Sequence, residues 1–124
     1  MRGMVEHVAV TVADIEWSLA FFQNVFGMQE TRRKEDNGKL KQVWLDGGIQ
    51  LVADPDNGQA GKCHHLGMVA DDFVAVREAM LAYDGVHHIT GKPEKWLQLP
   101  DGMVIELFQA KTGAIDKALA VTLK

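Results

Sequence analysis

Apolar positions along the chain follow two patterns: short runs in which nearly every residue is apolar, and segments in which apolar residues return every third or fourth position. Val5 to Val12 belongs to the first kind and is rich in β-branched residues, which predicts a strand covered on both faces. Asp14 then stands where a helix N-cap belongs. From Ile15 the apolar residues Leu19, Phe22 and Phe26 recur at helical spacing until Gly27 supplies a stop. After a polar loop, "KQVWLDGG" and "IQLVAD" predict two strands joined through Asp46-Gly47-Gly48, a turn composition that tolerates positive φ. The segment "PDNGQAGK", Pro55 to Lys62, is polar and aperiodic and reads as a connection. Beyond it the order restarts. His65 to Ala70 predicts a strand, Asp71 or Asp72 a cap, and Val76, Met80 and Tyr83 the buried side of a helix ending before Gly85. "KWLQL" and "MVIELFQ" predict two further strands around the Pro100-Asp101-Gly102 turn.

The two halves can be laid over each other. "HVAVTVAD" from His7 matches "HLGMVADD" from His65, and "WLDGGIQL" from Trp44 matches "WLQLPDGMVIEL" from Trp96. His7 precedes Gln50 by 43 positions and His65 precedes Glu106 by 41. Internal similarity at a nearly constant offset means two copies of one supersecondary unit. The equivalent positions are His7, Gln50, His65 and Glu106.

Side chains on a strand alternate between faces. Val8 and Val10, Ile49 and Leu51, Leu66 and Met68, and Ile105 and Leu107 therefore face away from those four residues and are free to pack on helices. Four strands that each point one coordinating group into a shared concavity predict a metal site. Two imidazoles, a carboxylate and an amide oxygen suit an octahedral or five-coordinate divalent ion with water in the open positions. A buried Glu106 without a compensating charge would also be costly, and a metal is a usual remedy. Strand parity sends His64 to the opposite face or the rim, as a structural residue, while His87 and His88 fall in no repeated pattern and suit a solvated strand or loop. Trp44 and Trp96 share the parity of Gln42 and Gln98, so Trp44, Trp96 and Gln98 are candidates for substrate contact, with ordinary core packing as the alternative for the tryptophans.

Composition narrows the setting. At 124 residues, 47% hydrophobic and 24% charged, the chain has the size and make-up of one globular domain. A net charge of -4 without a basic stripe argues against nucleic acid and against an anionic membrane surface. Arg32-Arg33-Lys34, followed by Glu35 and Asp36, reads as a solvated turn. Cys63 is the only cysteine, which excludes an internal disulfide and suits a reducing compartment. No apolar run approaches the roughly 18 residues of a membrane helix, so a cytoplasmic location is expected.

The paired units, "EHVAVTVADIEWSLAFFQNVFGM" in the first and "HHLGMVADD" and "LPDGMVIELF" in the second, resemble the vicinal oxygen chelate superfamily of glyoxalases, ring-cleaving dioxygenases, epimerases and fosfomycin or bleomycin resistance proteins, over about residues 4 to 110. The resemblance implies an α+β fold of two tandem βαβββ modules forming a curled sheet cup, the glyoxalase/bleomycin resistance/dioxygenase fold. A single domain over residues 1–124 would comprise module one at about 4–54, module two at about 63–110 and a C-terminal tail at 111–124 that packs on the cup or on a partner. It also implies a homodimer, a small-molecule substrate and a divalent ion (Ni, Co, Mn, Zn or Fe(II)) held by His7, Gln50, His65 and Glu106. Glu106 would then be both ligand and catalytic base for proton transfer α to a carbonyl, in a glyoxalase-like lyase or isomerase. The ligand set also resembles that of methylmalonyl-CoA epimerases, for which Glu35 lies in the approximate region of a second base. A ring-cleaving dioxygenase using His7, His65 and Glu106, and a protein that binds a drug without chemistry, are the remaining expectations.

Overall fold

The structure, a computed structural model, describes every residue except Pro55 and Asn57. The connection expected over Pro55 to Lys62 therefore lies partly outside the described residues. The elements follow the order β1 (Gly3–Val12), α1 (Ile15–Phe26), β2 (Glu30–Asp36), β3 (Lys39–Leu45), β4 (Ile49–Ala53), β5 (Cys63–Ala70), α2 (Phe73–Leu81), β6 (His87–His88), β7 (Trp96–Gln98), β8 (Val104–Gln109) and α3 (Ala114–Leu119). This is the βαβββ order, twice, with a helix appended. Two compact units divide the chain: one is His7–His65, and the other combines Met1–Glu6 with Leu66–Lys124.

In the first unit the strand order is β2-β3-β4-β1. Strands β1 and β4 run parallel, with Ala9 opposite Gln50 and Val10 opposite Leu51. Strand β3 is antiparallel to β4 and sets Trp44 across from Gln50. Helix α1 starts because the Asp14 carboxylate accepts from the Trp17 N–H at 3.1 Å. It stops because Gly27 takes φ 66°, a left-handed conformation that costs glycine little. Its buried side, Ile15 and Leu19 with Phe22 beside them, packs on Leu40, Val43, Leu45 and Leu51.

The second unit repeats the design with strand order β5-β8-β7-β6. Strands β5 and β8 are parallel, with Gly67 opposite Glu106, and antiparallel β7 sets Trp96 across from Glu106. Asp72 caps α2 by accepting from the Ala75 N–H at 3.0 Å. Val76 and Met80 of α2 pack against Ala70, Leu97 and Leu107. The N-terminal residues join this unit through Arg2 and Asp71, which exchange a main-chain bond of 2.9 Å and a second 2.9 Å bond from the Arg2 N–H to the Asp71 carboxylate. That second bond holds the Asp71 carboxyl below its usual range. No helix among the described residues is long and apolar enough to cross a membrane.

Two expectations need correction. Arg32-Arg33-Lys34 lies on strand β2, not in a turn, and all three residues are exposed. The turn is at Asn37-Gly38, with φ 52° and 72°, the positive pair that a two-residue hairpin requires. Charged side chains on an edge strand keep it from pairing further, and here Arg33 bridges Glu30 at 2.7 Å and Glu35 at 2.8 Å. Phe26 and Tyr83, expected on buried helix sides, are 64% and 74% exposed. Phe26 is the last residue of α1 and Tyr83 lies beyond the end of α2. The tail is α3, anchored by the buried Ile115.

Leu51→Ala removes a fully buried side chain and is expected to cost about 2–5 kcal/mol in urea unfolding. Phe26→Ser should stay within about 0.5 kcal/mol of the parent, as exposed positions do. Equal losses for the two would contradict the placement of the first core.

Candidate metal centre

Strand parity works as the sequence implies in the unit His7–His65. His7, Ala9 and Thr11 are the buried alternate positions of β1, and His65 and Gly67 those at the start of β5. His7 and His65 are 6% and 4% exposed, and Gln50 on β4 is 3% exposed. Small Ala9 faces Gln50 in the parallel register, which leaves room for the longer amide beside it.

The two imidazoles meet edge to face, at 90°, with their Nε2 atoms 3.2 Å apart. Such a contact has two chemical meanings: one N–H donates to the other's lone pair, or both lone pairs face a common cation. The spacing is compatible with both, since a hydrogen bond also reaches about 3.2 Å. Two nitrogens each about 2.1 Å from one ion lie about 3.0 Å apart at a right angle and about 3.4 Å apart at the tetrahedral angle, and 3.2 Å falls between. The neighbouring polar groups are arranged around these donors. His65 Nδ1 lies 2.7 Å from His64 Nδ1, and Gln50 Nε2 donates to Gln42 Oε1 at 3.0 Å. His64 is exposed, and its ring meets that of His65, a candidate ligand, where strand parity predicts the opposite face or the rim.

In the other unit Glu106 keeps 12% of its side chain exposed, and its Oε2 pairs with Lys95 Nζ at 2.8 Å. The Lys95 ammonium also stands 4.5 Å from the Phe108 ring centre and 5.9 Å from that of Trp96. This corrects one step of the sequence argument: the charge that compensates Glu106 within its own unit is a lysine, so burial of the carboxylate does not by itself call for a metal. What remains in favour of ligation is the chemistry of the donor and its position, equivalent to that of Gln50.

Other named residues fall into place around these. Trp44 and Trp96 are half-buried and occupy equivalent positions, each directly across from Gln50 or Glu106. The Arg32 guanidinium covers the Trp44 ring at 4.7 Å. Gln98 reaches the Gly102 carbonyl at 3.4 Å and braces the turn. Glu35 is tied to Arg33 on exposed β2, and the bonds from Arg33 hold the nearby Glu30 carboxyl below its ordinary range. His88 Nε2 donates to the carbonyls of Lys92 and Pro93 at 2.7 and 3.1 Å, a loop-bracing role. Sequence reasoning missed Lys95, Gln42 as an orienting group and His64 as a partner of His65. Gln42 was within reach, since it shares a strand face with Trp44; Lys95 sits in an irregular segment with no periodic signal.

Residues 4–107 match the Glyoxalase/Bleomycin resistance protein/Dioxygenase superfamily. The uncharacterized protein YwbC of Bacillus subtilis (strain 168) is 30% identical over 125 residues, spanning 88% of this chain and 99% of its own. Among solved structures, the 2,3-dioxygenase LapB from Pseudomonas sp. KL28 has a TM-score of 0.64 at 19% identity, over 86% of this chain and 42% of its own. Methylmalonyl-CoA epimerase from Mycobacterium tuberculosis has a TM-score of 0.54 at 18% identity, over 94% of this chain and 91% of its own. At such identities these two structures share a fold with the chain, and they show that the fold serves enzymes of different reaction types. Two βαβββ modules and a family match across most of the length lead to one assignment: the chain belongs to the Glyoxalase/Bleomycin resistance protein/Dioxygenase superfamily.

Proposed function

We propose that the chain is a divalent-metal-dependent enzyme, a glyoxalase-like lyase or isomerase that moves a proton α to a carbonyl of a small substrate bound through neighbouring oxygens. The convergence of two buried imidazole Nε2 atoms at 3.2 Å carries this reading. The proposed donors are the two histidines, Glu106 of the other unit and Gln50, whose amide donates to Gln42; nitrogen and oxygen donors of these types are the kind that hold such an ion. Nitrogen and oxygen donors of this kind admit Ni, Co, Mn, Zn or Fe(II). A bound divalent ion would supply Lewis acidity to a substrate carbonyl.

The chain's own residues supply the rest. Glu106 is the proposed base, a carboxylate oxygen accepting the α-proton. Lys95 neutralises that carboxylate in the metal-free protein and holds it against Phe108. Trp44 and Trp96, across from Gln50 and Glu106, are the proposed apolar contacts for the substrate. A two-base epimerase needs a second proton carrier, and Glu35, in an ion pair with Arg33 at 2.8 Å, lends that variant no support. A second reading is a ring-cleaving dioxygenase, because two histidines and one carboxylate also make the donor set of iron(II) oxygenases. Gln50 weighs against it, as a fourth protein donor leaves fewer positions for a diol and oxygen together.

Protein stripped of metal and reloaded is expected to retain close to one divalent ion per chain, measured by elemental analysis after gel filtration, with His65→Ala retaining little. Retention no better than background for every metal tried would end the enzyme reading and leave passive binding. Glu106→Gln keeps an oxygen donor but not a base, so it should hold much of its metal while α-proton exchange into D₂O, followed by NMR, falls by about 10²–10⁴-fold per bound ion. Unchanged exchange per ion would remove Glu106 from the base role. Oxygen uptake with a catechol by the Fe(II)-loaded protein would instead favour the dioxygenase.

A further inference from the structure

We propose that the outer face of α1 is a docking surface for the same face of a second copy of this chain. The surface lies within the unit His7–His65 and needs no metal. Helix α1 buries Ile15 and Leu19, with Phe22 packed beside them. A helix on the surface of a globular unit ordinarily turns charged and polar residues to solvent, yet Glu16 is the only charged residue among the twelve of α1. Trp17, Phe21 and Val25, spaced four apart, form a row that is 64%, 39% and 59% exposed. The Trp17 and Phe21 rings stack at 15° with centroids 5.4 Å apart, so the row is ordered before anything covers it. The fold does not ask for these side chains. Asp14 and Asp72 cap the two helices at equivalent positions, and counting from the caps puts Ala75 and Ala79 of α2 where α1 has Trp17 and Phe21.

A surface that pairs with its own copy must be its own complement, because a two-fold interface sets one patch against itself. On a helix this takes a ridge beside a groove of the same inclination. Trp17, Phe21 and Val25 make the ridge along the i, i+4 direction. Beside it runs the exposed row Glu16, Ala20 and Asn24, whose small central residue makes the groove. With two helices antiparallel, each ridge enters the other's groove, and Phe21 of one copy meets Ala20 of the other near the two-fold axis. The charges agree with this direction. Antiparallel packing keeps the two Glu16 carboxylates at opposite ends of the pair, whereas a parallel pair would set like charges side by side. An anionic bilayer, by contrast, would find no lysine or arginine on α1. The three apolar side chains expose roughly 300 Å², so two copies with their polar rims would bury on the order of 1,000 Å², just short of the roughly 1,200 Å² of stable interfaces. The pair is accordingly expected to be weak, forming at micromolar concentrations and separating on dilution.

Sedimentation velocity from about 1 to 500 µM, a range that spans micromolar dissociation, should show the parent passing from one chain to two. Phe21→Ser removes the centre of the ridge, and Ala20→Glu keeps the ridge but brings like charges together at the axis; each should raise the dissociation constant at least about tenfold. Val74→Ser, which removes an exposed apolar side chain from α2, should leave it unchanged. Circular dichroism and urea unfolding check that the variants fold, and Ala20 is exposed, so its substitution disturbs no buried side chain. A parent that sediments as one chain over the whole range would overturn the proposal, and its flotation with phosphatidylcholine vesicles would then give the face to a lipid surface. Association that survives both α1 substitutions, or that Val74→Ser weakens as much, would place the contact elsewhere and overturn it equally.

Discussion

Burying polar side chains in a sheet is tolerable only where each polar atom has a partner, and this constraint shapes the protein around its two equivalent strand pairs. Among the described residues no buried side-chain nitrogen or oxygen lacks one. Each partner is supplied locally: His65 by His7 and His64, Gln50 by Gln42, and Glu106 by Lys95. Because hydrogen bonds are directional, satisfying these groups also aims them. Apolar neighbours at the alternate positions do the opposite work, holding the strands against α1 and α2.

Duplication explains why so little sequence encodes so much arrangement. Ala9 opposite Gln50 and Gly67 opposite Glu106 are the same register in the two modules, as are Trp44 across from Gln50 and Trp96 across from Glu106. In both, a small residue and a tryptophan flank the polar one. The copies have diverged at the polar position itself: one holds a neutral amide with an amide partner, the other an acid with an ammonium partner. Divergence of this kind separates a donor that can only bind from one that can also take a proton.

Much of this was legible because the relevant signals are local. Asp14 and Gly27 mark the ends of α1 through side-chain capping and a left-handed φ, effects that need no tertiary context. The repeat offset marked His7, Gln50, His65 and Glu106, and strand parity placed the first three at positions that are buried. Strand β2 was not legible from periodicity, since its exposed charged residues carry no apolar pattern; the local signal that remained was Asn37-Gly38, which calls for a hairpin. Phe26 and Tyr83 fit the helical spacing but stand at or past the helix ends and are exposed, and spacing alone does not report where a packed surface stops.

Lys95 marks the deeper limit of sequence reading, because its importance comes from charge and not from pattern. Glu106 is the one acidic residue of the four proposed donors, and it already has a cation at 2.8 Å. A cation approaching Glu106 must compete with that ammonium. Lys95 keeps 34% of its side chain exposed, however, and Glu106 12%, so water reaches the pair from the lysine side. The aromatic face of Phe108 gives the displaced ammonium somewhere to remain. A partly solvated pair of this kind suits a carboxylate that is proposed to change partners, because it balances the charge when the metal is away and leaves the ammonium a route to water.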